Sequence, residues 1–362
     1  MKRFKNLYKQ IYDFETLLFS YNKSKYGRRY SGEVLTYTAN LEENLIDTQN
    51  HLIYKTYEIG KYRQFFVHDP KKRLIMALPF RDRVVQWAVY HILNPIFSKG
   101  YITDSYGCIE GRGSQQAVAR LKYWLRKPSN GKKMYFLKLD ISKYFFRVDH
   151  RILLGIMARK IDDPDTMWLL DKIINSEDTG FGLPSGFSAH ETEERLFDKG
   201  MPIGNLTSQM FANVYLNELD QYCKRELKIR HYIRYMDDIV ILSDSKERLH
   251  KYEELISVYL DEKLRLNLNH KTCIRPVTLG IDFLGYKVWS THVKLRKSSA
   301  RKMKRRMKHI QKQYANDEID FDNANATMQS YFGLLKHCNS LRLKNKILGD
   351  FVLRRRDDEN VP

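Results

Sequence analysis

Two adjacent carboxylates, Asp237 and Asp238, stand between short runs of apolar residues. The flanking residues 232–234 and 239–242 are largely β-branched or aromatic, which predicts two strands of a buried hairpin with Met236-Asp237-Asp238 as its turn. Aspartate is disfavoured inside a strand and favoured in a turn. Most Asp-Asp pairs are only hairpin turns, but ionised groups held away from water need an opposite charge or a metal ion.

A third acid, Asp140, ends another apolar run, Tyr135–Asp140, far earlier in the chain. Two strands from distant parts of the chain that each end in aspartate predict a site with three carboxylates. Mg²⁺ binds few protein carboxylates and completes its shell with water and substrate phosphates. Such a site therefore favours two-metal phosphoryl transfer.

Five sequence motifs then occur in the order typical of one family. Tyr235-Met-Asp-Asp238 resembles the signature of reverse transcriptases, and Asp140-Ile-Ser-Lys-Tyr-Phe145 resembles their first catalytic motif. Residues 73–86 and 283–286 are similar to further motifs of the same family. The string Ile203-Gly-Asn-Leu-Thr-Ser-Gln209 is similar to the reverse transcriptases of diversity-generating retroelements, since most bacterial and intron-encoded relatives have Gln-Gly at its start.

The resemblance implies an α+β, right-hand polymerase fold with fingers, a palm made of an antiparallel sheet backed by helices, and a helical thumb. We expect N-terminal helices and fingers over residues 1–134, a first palm strand over 135–149, and helices with a loop over 150–200. A palm with the catalytic hairpin and primer grip is expected over 201–290, and a basic thumb over 291–362.

Local patterns indicate the elements that position the three acids. Apolar residues at helical spacing predict helices before residue 60 and over 246–264. Two short apolar runs on either side of Asp69-Pro-Lys-Lys72 predict a hairpin. A helix from Arg83 is expected to end before Pro95.

The resemblance also implies a metal centre. Two Mg²⁺ ions, for which Mn²⁺ can substitute, would be held by Asp140, the backbone carbonyl of Ile141, Asp237 and Asp238. Asp237 is the expected bridging carboxylate, because the first aspartate of this motif usually contacts both ions in the family.

The resemblance further implies the residues that bind the incoming deoxynucleotide (dNTP). Arg73 and Arg81 are expected to bind the triphosphate, and Phe145 is expected to exclude the 2′-hydroxyl. Ile203 and Gly204 are expected to contact the templating pair, and Lys271 is expected to donate a proton to pyrophosphate. Arginine suits phosphate because its planar fork binds two oxygens at once. These positions and their neighbours also have ordinary explanations. The basic side chains can be simply solvated, the aromatic ring can pack in the core, and Asn205 and Thr207 can cap a helix.

Template and primer contacts are expected mainly towards the C-terminus. Residues 296–308 contain eight Lys or Arg, and Met303, Met307 and Ile310 can face a core. A helix with so many like charges is stabilised by polyanion contact, although charge runs are often merely solvated. The contacts that the resemblance implies are Arg112, Gln209, Phe283-Leu284-Gly285-Tyr286, Arg301, Lys304, Arg305 and Lys308.

Composition limits the partners. Lys and Arg number 63 against 43 Asp and Glu, which gives a formal charge of +20 at pH 7. This excess predicts a polyanionic partner, with nucleic acid favoured over an anionic membrane. No apolar run approaches the roughly 20 residues of a spanning helix, so we expect no membrane contact. Four cysteines without C-x-x-C spacing disfavour a zinc site or a disulfide framework. We therefore expect a cytoplasmic protein.

The expected function is RNA-directed DNA synthesis, with template RNA, the cDNA–primer duplex and dNTPs as partners. Membership of a diversity-generating retroelement would add error-prone copying opposite template adenine and a small basic accessory protein. The alternatives are an intron-like or defence-associated bacterial reverse transcriptase, or a catalytically silent RNA-binding protein on the same fold.

Overall fold

Helices make up most of the regular structure, and the strands form three small sheets. The computed structural model describes residues 3–68, 72–127, 132–184, 186–349 and 351–355. The α-helices are α1 (Tyr8–Ile11), α2 (Phe14–Ser24), α3 (Gly32–Ala39), α4 (Leu41–Ile53), α5 (Phe80–Ser98), α6 (Ser114–Arg126), α7 (His150–Ala158), α8 (Pro164–Ile174), α9 (Leu206–Gln221), α10 (Lys246–Leu264), α11 (Lys297–Ala315), α12 (Phe321–Leu335) and α13 (Leu341–Leu348). The mixture of helix and sheet confirms the α+β prediction.

The strands form three separate sheets. They are β1 (Arg63–Val67), β2 (Arg73–Ala77), β3 (Tyr135–Asp140), β4 (Tyr232–Tyr235), β5 (Asp238–Ser243), β6 (Cys273–Pro276), β7 (Ile281–Phe283), β8 (Tyr286–Val288) and β9 (Val293–Leu295). The sheet orders are β1-β2, β4-β5-β3-β6 and β7-β8-β9. The two strands that end or begin in aspartate, β3 and β5, are therefore neighbours in the central positions of one sheet.

The chain divides into two compact units. The first comprises Met1–Glu110, Leu139–Ile239 and Lys251–Thr272, and the second comprises Gly111–Lys138, Val240–His250 and Cys273–Pro362. In the first unit α5 packs against α2 and α9. Helix α5 continues through Pro95 to Ser98, so the predicted end before Pro95 was wrong. The adjacent Ile96 and Phe97 are buried, and their packing offsets the single backbone hydrogen bond that proline removes.

In the second unit, α11 confirms the predicted division between apolar and basic faces. Met303, Met307 and Ile310 are buried in one cluster with Ala324 and Leu335. Three or four residues separate successive members of this stripe, the spacing of one helix face. The basic residues between them are exposed or half-buried, so the charge lies on the solvent side of the helix.

Residues 283–286, the segment similar to a family motif, form a hairpin, since β7 and β8 pair antiparallel. Its two-residue turn is Leu284-Gly285, with φ values of 50° and 83°. Positive φ at both central residues is the requirement of a type I′ turn, which matches the twist of the flanking strands. No helix among the described residues combines the length and apolar character needed to cross a membrane.

Candidate active site

The turn between β4 and β5 consists of Met236 and Asp237, with Asp238 as the first residue of β5. The turn is thus one residue shorter than the sequence predicted. Met236 takes the left-handed conformation, with φ of 53°. This conformation is unfavourable for a side chain of this size, so surrounding contacts must hold it.

Asp140, the last residue of β3, lies beside this turn. The Ile141 N–H donates a long hydrogen bond of 3.4 Å to the Asp237 carbonyl oxygen. On the other side, the Asn269 N–H donates to the Asp140 carbonyl oxygen at 2.7 Å, and the Ser142 N–H donates to the Asn267 carbonyl oxygen at 2.9 Å. Backbone bonds on both sides therefore fix the end of the strand that carries Asp140.

The two carboxylates interact electrostatically. Burial raises the pKa of Asp237, and the negative charge of Asp140 raises it further, while Arg73 and Arg234 oppose the shift. Neither Asp140 nor Asp237 forms a salt bridge with any described residue. Two acids that repel each other in a partly desolvated place are stabilised by a shared cation.

The oxygen donors present fit a hard divalent cation. Asp140, Asp237 and the Ile141 carbonyl are the ligand types that Mg²⁺ prefers. A bound ion would activate a hydroxyl nucleophile and neutralise phosphate charge. The described residues contain no group of three or more Asp, Glu, His or Cys arranged to hold a metal. The three-carboxylate set, with the participation of Asp238, stays a prediction.

A buried ion pair supports the turn, and sequence reasoning missed it. Arg234 and Asp220 both have fully buried side chains, 0% exposed. The Arg234 Nε donates to Asp220 Oδ1 at 2.8 Å, and its Nη2 donates to Asp220 Oδ2 at 2.7 Å. Burial lowers the pKa of Arg234, and Asp220 more than offsets this, so the guanidinium stays charged.

The remaining donor of this guanidinium holds the catalytic turn. Arg234 Nη1 donates to the Met236 carbonyl oxygen at 3.1 Å and to Asn213 Oδ1 at 3.2 Å. The Tyr232 hydroxyl donates to Asp220 at 2.7 Å. Helix α9, which carries Asp220 and Asn213, is thereby connected to the residue preceding Asp237. An arginine within an otherwise apolar strand was the available sequence signal, because a buried charge requires a partner.

Gly107 packs directly against the same turn. A Cβ atom at this position would lie 2.6 Å from both the backbone nitrogen and Cγ of Met236. The Asn213 Nδ2 donates to the Gly107 carbonyl oxygen at 2.7 Å, which fixes the glycine in place. Only glycine permits this close approach.

Phe145 occupies a short 3₁₀ turn, Tyr144–Phe146, just after Asp140. Tyr144 is buried and its hydroxyl donates to the Ala212 carbonyl oxygen at 2.6 Å. Phe145 is half-buried, and its carbonyl oxygen accepts from the Met201 N–H at 2.6 Å. Phe145 thus keeps some accessible surface five residues after Asp140, and its role in excluding the 2′-hydroxyl stays a prediction.

The predicted hairpin of β1 and β2 is confirmed, with antiparallel pairing of Arg63 to Ala77. Residues 69–71, which include part of the predicted connection, lie outside the described residues. The Met76 N–H in β2 donates to the Ile203 carbonyl oxygen at 3.0 Å. Gly204 has φ of +128°, and a Cβ there would lie 3.2 Å from the Met76 carbonyl oxygen. The hairpin therefore sits against the two residues expected beside the templating pair.

The two arginines predicted to bind triphosphate differ in their surroundings. Arg73 is exposed, and its charge acts on Asp237. Arg81 donates to the Glu58 carbonyl oxygen at 2.6 Å and lies 5.4 Å from the centre of the Tyr57 ring. The charge of Arg73 thus acts on one of the acids, whereas the contacts of Arg81 anchor the fold. Triphosphate binding by either arginine stays a prediction.

Asn205 precedes α9 at the N-cap position, but its side chain forms no capping hydrogen bond. The explanation as a helix cap was therefore wrong for this residue. Its Nδ2 instead donates to the Tyr62 hydroxyl at 3.0 Å, and the Tyr62 ring packs edge-on against Phe181. A long-range partner has replaced the local one.

Lys271 and Gln209 complete the predicted site residues of the first unit. Lys271 is exposed, and its backbone N–H is held by Asn269 Oδ1 at 3.2 Å. The Asn269 N–H also donates to the Asp140 carbonyl oxygen, so Lys271 lies two residues after a residue that contacts the end of β3. Gln209 is exposed in the first turns of α9.

The other predicted template and primer contacts belong to the second unit. Phe283 is 1% exposed and Tyr286 is 2% exposed, because both rings pack into the interior of that unit. Leu284 and Gly285 are the residues of this segment with accessible surface, and contact of the segment with the primer stays a prediction. Accessible surface is also present at Arg112, Arg301, Lys304, Arg305 and Lys308.

Comparison with known proteins supports the same chemistry. The model of the family described as reverse transcriptase (RNA-dependent DNA polymerase) matches residues 67–288. Protein YkfC of Escherichia coli (strain K12) is 29% identical over 241 residues, covering 58% of this chain and 61% of YkfC. Group II intron-encoded protein LtrA of Lactococcus lactis subsp. cremoris is 24% identical over 299 residues, covering 64% of this chain and 47% of LtrA. The chain thus spans about half to three-fifths of the length of these relatives.

A solved structure has a similar fold. Apo telomerase from Candida tropicalis matches with a TM-score of 0.50 and 12% sequence identity, covering 67% of this chain and 49% of that chain. At this identity the likeness concerns the fold alone. It confirms the right-hand polymerase fold.

Proposed function

The chain belongs to the reverse transcriptase family, and on that basis we propose that it is an RNA-directed DNA polymerase. The observation that carries the proposal is the meeting of Asp140 and Asp237 at the ends of neighbouring strands, where their charges interact. Its substrates are a template RNA, a primer and dNTPs. Magnesium is the proposed metal, since the donors are carboxylate and carbonyl oxygens.

The surrounding residues have defined tasks in this proposal. Arg73 places positive charge beside Asp237, where the incoming triphosphate would lie. Phe145, which is half-buried and follows Asp140 by five residues, selects deoxyribose by bulk. Gly204 lets the backbone of β2 approach the templating position, because a side chain there would contact Met76.

We further propose that the enzyme belongs to a diversity-generating retroelement. The string Ile203-Gly204-Asn205 supports this subtype, because an isoleucine side chain cannot form the hydrogen bonds that glutamine would form near the templating pair. Looser geometric control would allow mismatches opposite adenine. The similarity to LtrA favours the alternative of an intron-like enzyme.

Primer extension tests the polymerase activity. The wild-type chain should extend a DNA primer on an RNA template with Mg²⁺ and dNTPs. Asp140→Asn and Asp237→Asn should each lose extension by several orders of magnitude while binding the primer–template with unchanged affinity. Asp47→Asn, at a carboxylate that is 61% exposed, is the matched control and should be fully active. Wild-type-like extension by Asp237→Asn would overturn the proposal.

Sequencing the cDNA tests the subtype. A template with scattered adenines should yield errors concentrated opposite adenine. The variant Ile203→Gln should reduce those errors without a comparable loss of extension. Equal error rates at all four template bases would reject the retroelement assignment and leave the polymerase assignment intact.

A further inference from the structure

The connection between α2 and α3, residues 25–31, exposes aromatic rings on an ordered loop. Tyr26 is 83% exposed and Tyr30 is 84% exposed, the highest values among the exposed large hydrophobic side chains of the described residues. Neither hydroxyl forms a hydrogen bond with a described residue. Isolated apolar side chains at a surface are common, but two tyrosines four positions apart on one loop form a patch.

The loop has a defined backbone conformation. The Tyr26 N–H donates to the Lys23 carbonyl oxygen at 3.2 Å, the Arg28 N–H to the Lys25 carbonyl oxygen at 3.0 Å, and the Ser31 N–H to the Arg28 carbonyl oxygen at 2.9 Å. Gly27 supplies the positive φ of 73° that these successive turns require. The rings are therefore presented by closed turns, and ordering them on a ligand costs little entropy.

The charge of this loop has one sign. Lys25, Arg28 and Arg29 fall within the loop, Lys23 lies in the last turn of α2, and none of residues 23–31 is an acid. Both arginines are exposed. A loop that combines three cations with two exposed aromatic rings is complementary to a polyanion that has flat, unpaired bases.

Basic and aromatic side chains are also exposed on the hairpin of β1 and β2. The guanidinium of Arg63 lies 5.5 Å from the centre of the Phe65 ring, and the Lys72 ammonium lies 4.4 Å from that of Phe66. All five residues of β1 are exposed. Arg83 connects the end of the loop to the hairpin: its Nη2 donates to Glu33 Oε2 at 3.0 Å, two residues after the loop, and to the Leu78 carbonyl oxygen at 2.7 Å, directly after β2.

The hairpin then leads to the candidate active site. Strand β1 pairs with β2 along its whole length, and Met76 of β2 binds the Ile203 carbonyl oxygen. A continuous path of described contacts therefore runs from the loop, across the hairpin, to the residues expected beside the templating pair.

We propose that Tyr26, Arg28, Arg29 and Tyr30 form a binding surface for single-stranded RNA, namely the uncopied template upstream of the catalytic site. The identification of the strand as template rests on the proposed polymerase function. Base stacking on the two rings supplies sequence-independent affinity, and the two arginines neutralise phosphates. Duplex RNA cannot use the rings, because its bases are already stacked and paired.

Fluorescence anisotropy of the full chain tests the surface directly. The probes are two primer–template duplexes with the same paired region, one with a 3-nucleotide and one with a 20-nucleotide 5′ overhang of template RNA. The long overhang should bind the wild-type chain more tightly. The variant Tyr26→Ala/Tyr30→Ala should lose that gain, by about tenfold or more, since stacking supplies roughly a factor of 5 to 150 per base. Tyr26→Phe/Tyr30→Phe should retain it.

Tyr54→Ala provides the matched control, because Tyr54 is 73% exposed but lies outside the loop. It should retain the full gain from the overhang. Arg28→Gln/Arg29→Gln should reduce the log–log salt dependence of overhang binding by roughly 1.4, about 0.7 for each phosphate that the arginines no longer neutralise. If Tyr26→Ala/Tyr30→Ala kept the full gain in affinity from the long overhang, the proposal would be overturned, and a protein partner would become the explanation for the exposed rings.

Extension kinetics separate this proposal from the proposed function. Tyr26→Ala/Tyr30→Ala should extend the primer at the wild-type rate on the 3-nucleotide overhang and with a raised KM on the 20-nucleotide overhang. If the wild-type chain extends neither substrate, the polymerase proposal fails, while the anisotropy result still decides whether the loop binds single-stranded RNA. Equal KM values on both overhangs for the variant would reject the template path.

Discussion

Replacing Asp220 by asparagine should destabilise the fold and impair catalysis through one buried contact. The carboxylate of Asp220 accepts two hydrogen bonds from Arg234 and one from Tyr232, and both charged side chains are 0% exposed. Asparagine keeps the shape but removes the negative charge. Arg234 would then be a buried, uncompensated cation.

The expected cost is large compared with the stability of a protein. Breaking a buried pair by removing one partner costs about 3–5 kcal/mol, whereas a typical domain has a free energy of unfolding of about 5–15 kcal/mol. The contribution of the intact pair is much smaller, because both groups lose hydration on folding. The prediction concerns the broken pair only.

A double variant separates stability from positioning. Asp220→Leu/Arg234→Met removes both charges and fills a similar volume, so it should recover most of the stability that Asp220→Asn loses. It cannot donate to the Met236 carbonyl oxygen, which Arg234 Nη1 contacts at 3.1 Å. The double variant should therefore fold but extend primers with a kcat reduced about 10-fold or more, in line with the effect of small displacements of catalytic groups.

Urea unfolding followed by circular dichroism measures the first effect, and single-nucleotide addition at saturating dNTP measures the second. The magnesium concentration needed for half-maximal rate should also rise in the double variant, because the turn carries Asp237. A free energy of unfolding for Asp220→Asn within about 0.5 kcal/mol of wild type, the range of ordinary surface substitutions, would refute the reasoning. Wild-type kcat in the double variant would equally refute the role of Arg234 in positioning the turn.

Three further predictions concern the same site. Burial and Asp140 raise the pKa of Asp237, so its contribution to stability is present at low pH and is lost as the pH rises through that pKa. Asp237→Asn should consequently be inactive yet have a higher Tm than wild type at pH 7, a difference that should vanish in acid, and a lower or equal Tm at pH 7 would contradict the shift. Phe145→Ala should incorporate ribonucleotides at least 10-fold more efficiently relative to dNTPs, measured as the ratio of kcat/KM values, and an unchanged ratio would exclude the ring as the selector. Gly107→Ala should cost about 1–3 kcal/mol by overpacking against Met236 and slow extension, whereas normal Tm and kcat would show that the turn can move away.

The sequence predicted the parts of the site that local patterns specify. Alternating apolar residues and turn-forming aspartates were sufficient to place Asp140 at a strand end and Asp237 in a turn. Helical spacing predicted the buried stripe of Met303, Met307 and Ile310. In these cases the residue itself and its near neighbours carry the signal.

The predictions from sequence failed where a residue far away in the chain determines the local structure. Asparagine is a residue type that favours the N-cap position, but the Asn205 side chain donates to the Tyr62 hydroxyl instead. The helix expected to end before Pro95 continues because packing outweighs one missing backbone bond. The pairing of Arg234 with Asp220 joins a strand to a helix, and a sequence shows that a buried charge needs a partner without showing which one.

Iron-mediated backbone cleavage tests the central claim that Asp140 and Asp237 share a divalent cation. Fe²⁺ binds the same oxygen ligands as Mg²⁺, and with ascorbate and peroxide it cleaves the chain next to its site. We predict cuts close to residue 140 and close to residue 237, suppressed by excess Mg²⁺ and absent in Asp237→Asn. Cleavage at only one of these positions, or an unchanged pattern in Asp237→Asn, would contradict the account.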